Sequence, residues 1–281
     1  MHRFLFITHL TPAAKRSPLR QSLFEIYLEG LKRQQYEHWK VLLLGEEEKE
    51  DGRFKYVRLG GETREEKFEE LRKLYSRADV KALTDEAQYI VKLDDDDLIS
   101  PGILQMLSEK DFDCYYDSWH TFYDVSSGIT TQQQRPWIAS TCVHKKEHAL
   151  ASYEGPGASP LNNLLYSDHS KAWHAYYAGK KIIAAEKTHP VYLRVLSPTS
   201  ITASSTNRAP MRIEEVDLKK YYAYLRGFGY WEKSGAKGFE AYYPLLAKAW
   251  EDFANFGQRS IPGIGRLNRI AGRLGRLWKR T

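Results

Sequence analysis

Tyr89-Ile90-Val91-Lys92-Leu93-Asp94-Asp95-Asp96-Asp97-Leu98-Ile99-Ser100-Pro101 is the stretch from which the fold is read. A short apolar run, the length of one buried strand, breaks directly into four acids. Three similar runs lie upstream: Phe4-Leu5-Phe6-Ile7, Val41-Leu42-Leu43-Leu44 and Phe54-Lys55-Tyr56-Val57. Between the first two, Ser17 and Pro18 stand where an N-cap and a first helical residue belong, and Leu19, Leu23, Ile26, Tyr27 and Leu31 recur at helical spacing. A second helical stretch is expected from about Glu65 to Glu86. Strands alternating with helices in this way build βαβ units, so the expected fold class is α/β with a mostly parallel central sheet flanked by helices.

The acids then fall at the carboxyl end of the fourth strand, where open α/β sheets bind their ligands. Carboxylates packed this closely repel one another unless protons or a cation neutralise them. A hard divalent ion, Mg²⁺ or Mn²⁺, held by one or two carboxylates plus substrate phosphates, suits such a group. A solvated acidic turn that caps the next helix is the plain alternative. A phosphatase of the haloacid dehalogenase type would place its nucleophilic aspartate on the first strand with threonine or valine close behind, whereas here the run ends the fourth strand and precedes Leu98.

Composition sets outer bounds. The chain has 281 residues, 42% hydrophobic and 28% charged, which fits one or two globular domains and excludes disordered and fibrous classes. No apolar stretch approaches the roughly 18 residues of a spanning helix, and the opening Met1-His2-Arg3-Phe4 lacks the pattern of a secretory signal, so a soluble or peripheral cytoplasmic protein is expected. The two cysteines, Cys114 and Cys142, are too few and too far apart for a disulfide framework or a metal knuckle and read as buried thiols.

From Cys114 to about Thr206 the chain is richer in aromatics and loops. One helix is expected near Ser170–Ala178, ended by Gly179 and followed by a strand over Lys181–Ala184 in a mixed sheet. Beyond Pro210 the pattern turns helical, roughly Glu214–Arg226 and Phe239–Phe256. The net charge of +6 is local: Arg259, Arg266, Arg269, Arg273, Arg276, Lys279 and Arg280 put seven positive charges at the end, and without them 35 basic face 36 acidic residues. Ile261, Ile264, Leu267, Ile270, Leu274, Leu277 and Trp278 recur between these arginines at three- and four-residue steps, the pattern of a basic amphipathic helix. The expected partner is an anionic membrane surface. A helix docked on its own domain and a nucleic-acid arm are the competing readings, and no nucleic acid is expected because an apolar stripe has no use on a phosphate backbone.

At three places the chain resembles the inverting family 2 glycosyltransferases of the GT-A fold. Phe4–Leu44 looks like that family's opening strand and helix, with Arg33-Gln34-Gln35-Tyr36-Glu37-His38-Trp39-Lys40-Val41 similar to its L-x-x-Q-x-Y-x-x-W-E passage. Ser76-Arg77-Ala78-Asp79 through Tyr89-Ile90 to Leu93–Asp97 and Pro101 resembles its passage into the DxD motif. Ser167-Asp168-His169 through Trp173 and Ala178-Gly179-Lys180 looks like the family's base-bearing segment, and Tyr192-Leu193-Arg194 to Ser200-Ile201-Thr202 is similar to its downstream arginine-to-threonine passage. The likeness spans about residues 3–204.

The resemblance implies roles residue by residue. Thr8, Arg77, Asp94 and Asp95 would bind the nucleotide-sugar donor, with Asp94 at the ribose, Thr8 near the base and Arg77 at the nucleotide or diphosphate. Asp96, with Asp97 beside it, would hold Mn²⁺ or Mg²⁺ on the diphosphate, and Asp168 would be the catalytic base. A sugar nucleotide already carries a good leaving group, so charge neutralisation and one carboxylate on the opposite face suffice for single-displacement inversion. Asp168 also opens a helix, where aspartate is a favoured N-cap. Departures from the family pattern are Ser167 where a glutamate usually precedes the base, Leu196-Ser197 where a histidine is often found, with His189 nearby, and Gly45-Glu46-Glu47-Glu48 where an aspartate run ends the second strand. Tyr115, Tyr116, Trp119, Phe122, Tyr123 and Trp137 fall in the acceptor region, as sugar-stacking rings or as core.

The reading is a metal-dependent, hexosyltransferase-type enzyme of cell-surface polysaccharide synthesis that transfers a sugar to a glycan or lipid-linked saccharide. The alternative is a non-catalytic nucleotide-sugar or glycan binder with the same fold. Its expected organisation is a GT-A domain over residues 1–206, a helical extension over 207–258 and the basic tail over 259–281, and its expected location is the cytoplasm, peripheral at the inner face of the plasma membrane.

Overall fold

The computed structural model describes residues 3–61, 63–134, 141–200, 211–230 and 237–256. Trp137, Ile201-Thr202 and the basic tail lie outside the described residues.

Strand β1 (Phe4–His9) leads into α1 (Pro18–Lys32), where the Ser17 side chain accepts the Arg20 backbone N–H at 3.1 Å as the N-cap and Pro18 takes the first helical position. Next come β2 (Trp39–Gly45), β3 (Lys49–Asp51), β4 (Phe54–Arg58), α2 (Arg64–Ser76), α3 (Ala78–Glu86) and β5 (Tyr89–Lys92). After β6 (Leu98–Ile99) come α4 (Ile103–Ser108), β7 (Cys114–Tyr116), β8 (Trp119–Asp124), β9 (Ile129–Gln134), β10 (Cys142–Lys145) and α5 (Lys146–Ala149). A π-helical turn, His169–Trp173, runs into α6 (His174–Tyr176), then β11 (Ile182–Ala184), β12 (Tyr192–Leu196), α7 (Leu218–Gly227) and α8 (Tyr243–Phe256).

The fold is α/β. Its eight-stranded sheet has the order β11-β7-β10-β5-β1-β2-β4-β3, and its centre, β5-β1-β2-β4, is parallel. Antiparallel β10 and β3 flank that centre. Alternate residues of the central strands go to opposite faces: Phe4, Phe6, Val41, Leu43, Tyr89 and Val91 join α1, α4 and α8 in one cluster, and Leu5, Ile7, Leu42, Leu44 and Ile90 join α2 and α3 in the other. Both faces are thus covered, which is why these strands read as continuous apolar runs. A four-stranded sheet, β6-β12-β8-β9, draws its strands from residues 98 to 196.

Two local expectations are corrected. The helical stretch from Glu65 to Glu86 is two helices, because Arg77 adopts an extended backbone (φ −64°, ψ 134°) that ends α2 and begins α3. Strand β3 was not anticipated: its three residues are all exposed and carry no apolar signal, and it is built by antiparallel pairing with β4 across Gly52-Arg53. The segment around α8 shares the core of the α/β layers, while α7 packs in a separate cluster with Phe122 and Leu196 of the smaller sheet. Phe239, Tyr242, Leu246, Ala249 and Phe253 are buried in the α1 cluster, and Tyr221 on α7 donates its hydroxyl to buried Asp124 at 2.6 Å.

Cys114 and Cys142 are free and buried. No helix among the described residues is long and apolar enough to cross a membrane.

Candidate functional site

β5 carries the acids to the carboxyl edge of the parallel strands. Its last residue, Lys92, lies opposite Ile7 of β1, and Leu93 donates its backbone N–H to the Ile7 carbonyl at 3.2 Å. The chain then turns, closed by the Asp97 N–H to the Asp94 carbonyl at 3.2 Å, and enters β6, which pairs with β12 of the smaller sheet. The acidic run is therefore the crossing from one sheet to the other.

The four acids differ in surroundings. Asp94 is exposed and makes no side-chain hydrogen bond or ion pair among the described residues. Asp95 accepts from the Thr11 backbone N–H at 2.8 Å, from the Thr11 hydroxyl at 3.3 Å and from the Arg20 guanidinium at 2.5 Å. Asp96 is paired with the same Arg20 guanidinium through one oxygen. Asp97 accepts the Tyr192 hydroxyl at 2.6 Å on one oxygen and the Val195 N–H at 3.0 Å on the other. Asp95, Asp96 and Asp97 are 1%, 8% and 2% exposed, so solvent does little to separate their charges. Burial pushes the Asp96 carboxyl up to about 7 even though Arg20 pulls it down, with Asp95 and Asp94 adding to the rise. Burial, and then Asp96, likewise raise Asp97 well above the ordinary carboxylate range. Arg20 bridges Asp95 and Asp96, and the Arg16 guanidinium stands 3.9 Å from Asp95, so the carboxylates still outnumber the positive charges in contact with them.

Asp94, Asp96 and Asp97 line a cavity of about 170 Å³ together with Arg20, Arg194, Val195, Leu196 and Ser200. That volume is below the roughly 300–1,000 Å³ of pockets that enclose a whole ligand. Arg194, on β12, makes no ion pair among the described residues. No three His, Cys, Asp or Glu side chains among the described residues converge as a closed metal cage. Hard oxygens of Asp94 and Asp96 that take no donor among the described residues, facing one cavity, would fit an open site for Mg²⁺ or Mn²⁺.

The remaining expected site residues lie elsewhere. Thr8 is fully buried and its hydroxyl is 2.6 Å from that of Tyr27. Arg77 does not line the cavity: its guanidinium contacts Glu48 at 2.6 Å and Asp79 at 2.8 Å on the surface. His189 is exposed, 3.4 Å from Glu186. Of the aromatic group, Tyr115, Phe122 and Tyr123 are core, while Tyr116 and Trp119 are half-buried, the latter with the Lys187 ammonium 4.3 Å above its ring.

Asp168 is exposed and caps the π-helical turn. One carboxylate oxygen accepts the Ser170 N–H at 2.9 Å, the Ser170 hydroxyl at 2.7 Å and the Lys171 N–H at 3.0 Å, and the other oxygen takes no protein donor among the described residues. The Ser170 hydroxyl, then the Lys171 N–H, hold its carboxyl below the usual range. The segment is tied to the strand ends through Tyr166, whose hydroxyl is 3.2 Å from His9 Nε2 on β1 and whose ring lies 4.9 Å from the Lys92 ammonium on β5. Gly157, at φ +79°, accepts the Asp168 N–H at 2.8 Å, and a Cβ there would stand 2.9 Å from that of Asp168.

Sequence reading gave no role to Arg20, Arg194 or Tyr192. For Arg20 a signal existed: the first turn of the helix after β1 opens at the carboxyl edge of the sheet, where phosphate-binding groups gather.

No protein-family model matches the chain, and a search of curated proteins finds no match. Among solved structures, the chain is similar to S. aureus TarS, at 13% identity and a TM-score of 0.40 over 95% of this chain and 44% of that one. It therefore spans less than half of the TarS chain. It is also similar to a glycosyltransferase involved in the glycosylation of the major capsid of PBCV-1, at 11% identity and a TM-score of 0.38 over 68% of this chain and 93% of that one. A third likeness is to 4-diphosphocytidyl-2C-methyl-D-erythritol synthase from Anaerococcus prevotii DSM 20548, at 14% identity and a TM-score of 0.36 over 80% of this chain and 99% of that one.

Proposed function

We propose that this chain is a metal-dependent inverting glycosyltransferase of GT-A type that moves a hexosyl group from a nucleotide-sugar donor to a saccharide or lipid-linked acceptor. The observation that carries the reading is the cavity at the end of β5, where Asp94 and Asp96 face Arg20 and Arg194. Carboxylates beside the Arg194 guanidinium, which no acid pairs among the described residues, suit a diphosphate that arrives with a cation. Support also comes from the three sequence segments that resemble family 2, in their order and spacing.

Asp94 and Asp96 would hold Mn²⁺ or Mg²⁺, whose charge, when bound, offsets that developing on the departing diphosphate. Arg194 adds a fixed positive charge on the same side. Asp97, which the resemblance puts beside the metal, has one oxygen taken by the Tyr192 hydroxyl and the other by the Val195 N–H, so from the cavity wall it would fix the turn that presents Asp94 and Asp96. Asp168 serves as base through its uncommitted oxygen. It takes the proton of the acceptor hydroxyl while that oxygen bonds to the anomeric carbon and the bond from that carbon to the diphosphate oxygen breaks, inverting the centre. Its lowered pKa keeps it ionised at neutral pH, and the cap bonds on its other oxygen fix its direction.

The test is calorimetric binding of UDP-, GDP-, dTDP- and CMP-sugars with and without Mn²⁺, joined to turnover assays on saccharide acceptors. One donor class should bind in a manganese-dependent way, and Asp168→Asn should lower kcat by about 10²–10⁴-fold with donor affinity unchanged. Donor binding without turnover would establish the non-catalytic binder, and absence of donor binding would overturn both.

A further inference from the structure

Arg20 stands in an unusual place for a residue that merely balances charge. Its guanidinium bridges Asp95 and Asp96 and at the same time forms part of the cavity wall with Asp94, Asp97 and Arg194. Its side chain is 18% exposed, and its Nε, buried, has no hydrogen-bond partner among the described residues. Its position on α1 is fixed by the Ser17 cap, whose hydroxyl accepts the Arg20 N–H. Asp96 thus presents one oxygen to Arg20 and the rest of its carboxylate to the cavity.

A divalent cation that approaches Asp96 alone competes with this guanidinium. Like charges cannot share one carboxylate at close range without cost, and moving Arg20 aside leaves a largely buried cation with Asp95 as its remaining partner. A cation that arrives with a diphosphate meets a different balance, since the phosphate oxygens give the displaced guanidinium a new two-pronged partner of matching geometry.

We propose that Arg20 is an internal counterion that excludes divalent cations from Asp96 until a nucleoside diphosphate group enters the cavity, and that it then turns from Asp96 to the diphosphate. The proposal rests on the donor-binding reading above. It makes cation and donor bind as a coupled pair, and thermodynamic linkage requires each to raise the affinity of the other by the same factor, typically 5–150-fold.

The experiment is Mn²⁺ binding followed by electron paramagnetic resonance of the free ion, on the full chain, alone and with saturating UDP, GDP, dTDP or CDP. Wild type, Arg20→Gln and Arg20→Lys are compared, with thermal melting recorded for each. Arg20→Gln should bind Mn²⁺ alone about tenfold more tightly than wild type, while its diphosphate-dependent gain shrinks by at least that factor. Arg20→Lys should fall between, because one ammonium cannot bridge two carboxylates as a guanidinium does, and it carries the test should Arg20→Gln not fold. If wild type shows the coupled binding and the Arg20 variants bind Mn²⁺ alone no more tightly, the counterion role is overturned and the donor site stands. If wild type binds Mn²⁺ with none of the diphosphates, the donor reading and the counterion role fall together.

Discussion

Asp97 is held by two protein donors, whereas Asp94 has none among the described residues. Removing Asp97 leaves the Tyr192 hydroxyl and the Val195 N–H unpaired in a buried setting, so Asp97→Ala should cost about 2–4 kcal/mol of folding stability. Asp94→Ala should stay within about 0.5 kcal/mol and affect donor binding instead. Urea denaturation of both variants checks the order, and a reversal would reassign the two acids. Gly157→Ala should lose stability by about 1 kcal/mol or more, since it combines a positive φ with a Cβ that meets Asp168 at 2.9 Å. It should also lower kcat more than donor affinity, and equal losses in both would argue against a base at 168. The acidic run was legible in the sequence because four like charges after an apolar strand have few uses. The place of Arg20 in the first turn after β1 was a signal, but its pairing was not legible, because its partners stand 75 and 76 positions away and no local periodicity records them.

At the scale of elements, α1 is the support on which the site depends. Ser17 is fully buried and caps the helix whose first turn carries Arg20. Ser17→Ala should therefore cost about 1 kcal/mol, with Ser17→Asn retaining most of that stability, as measured by chemical denaturation. The strands of the parallel centre were readable because burial on both faces demands unbroken apolar runs. The division of the second helical stretch at Arg77 was not, since Leu71 and Leu74 on α2 and Val80 and Leu83 on α3 each recur at a helical step and pack in the same cluster, with no glycine or proline between them to mark the break. Strand β3 owes its existence to its neighbour β4, and pairing of that kind leaves no trace in hydrophobic pattern.

Across the whole molecule, burial without a compensating charge sets the response to acid. His144 on β10 is fully buried, its Nδ1 2.8 Å from the Tyr177 hydroxyl, and burial, then His148, push its imidazole down to about 3. Below an unfolded value near 6.5 the unfolded chain takes up a proton that the folded chain refuses. The contribution is complete above that pH and is lost as pH falls toward 3, by up to about 1.4 kcal/mol per unit. Asp96, raised to about 7, works in the opposite sense over the same range, so the test is a difference: the stability of wild type relative to His144→Gln, from urea denaturation, should fall between pH 7.5 and pH 5, and a difference constant with pH would place this acid sensitivity elsewhere. The expectation of an anionic membrane partner rests on the sequence beyond Phe256. Changing Arg266, Arg269, Arg273 and Arg276 to glutamate in the full chain should abolish sedimentation with anionic vesicles and leave donor binding intact, and retained sedimentation would remove the tail from that role. The guanidinium across Asp96 bears, finally, on metal traffic. An unshielded carboxylate cluster collects whichever divalent ion the Irving–Williams order favours, with copper and zinc ahead of manganese. On the proposal made for Arg20, a resting pocket already occupied by arginine would offer such scavenged ions no foothold and would admit those that travel with a nucleotide.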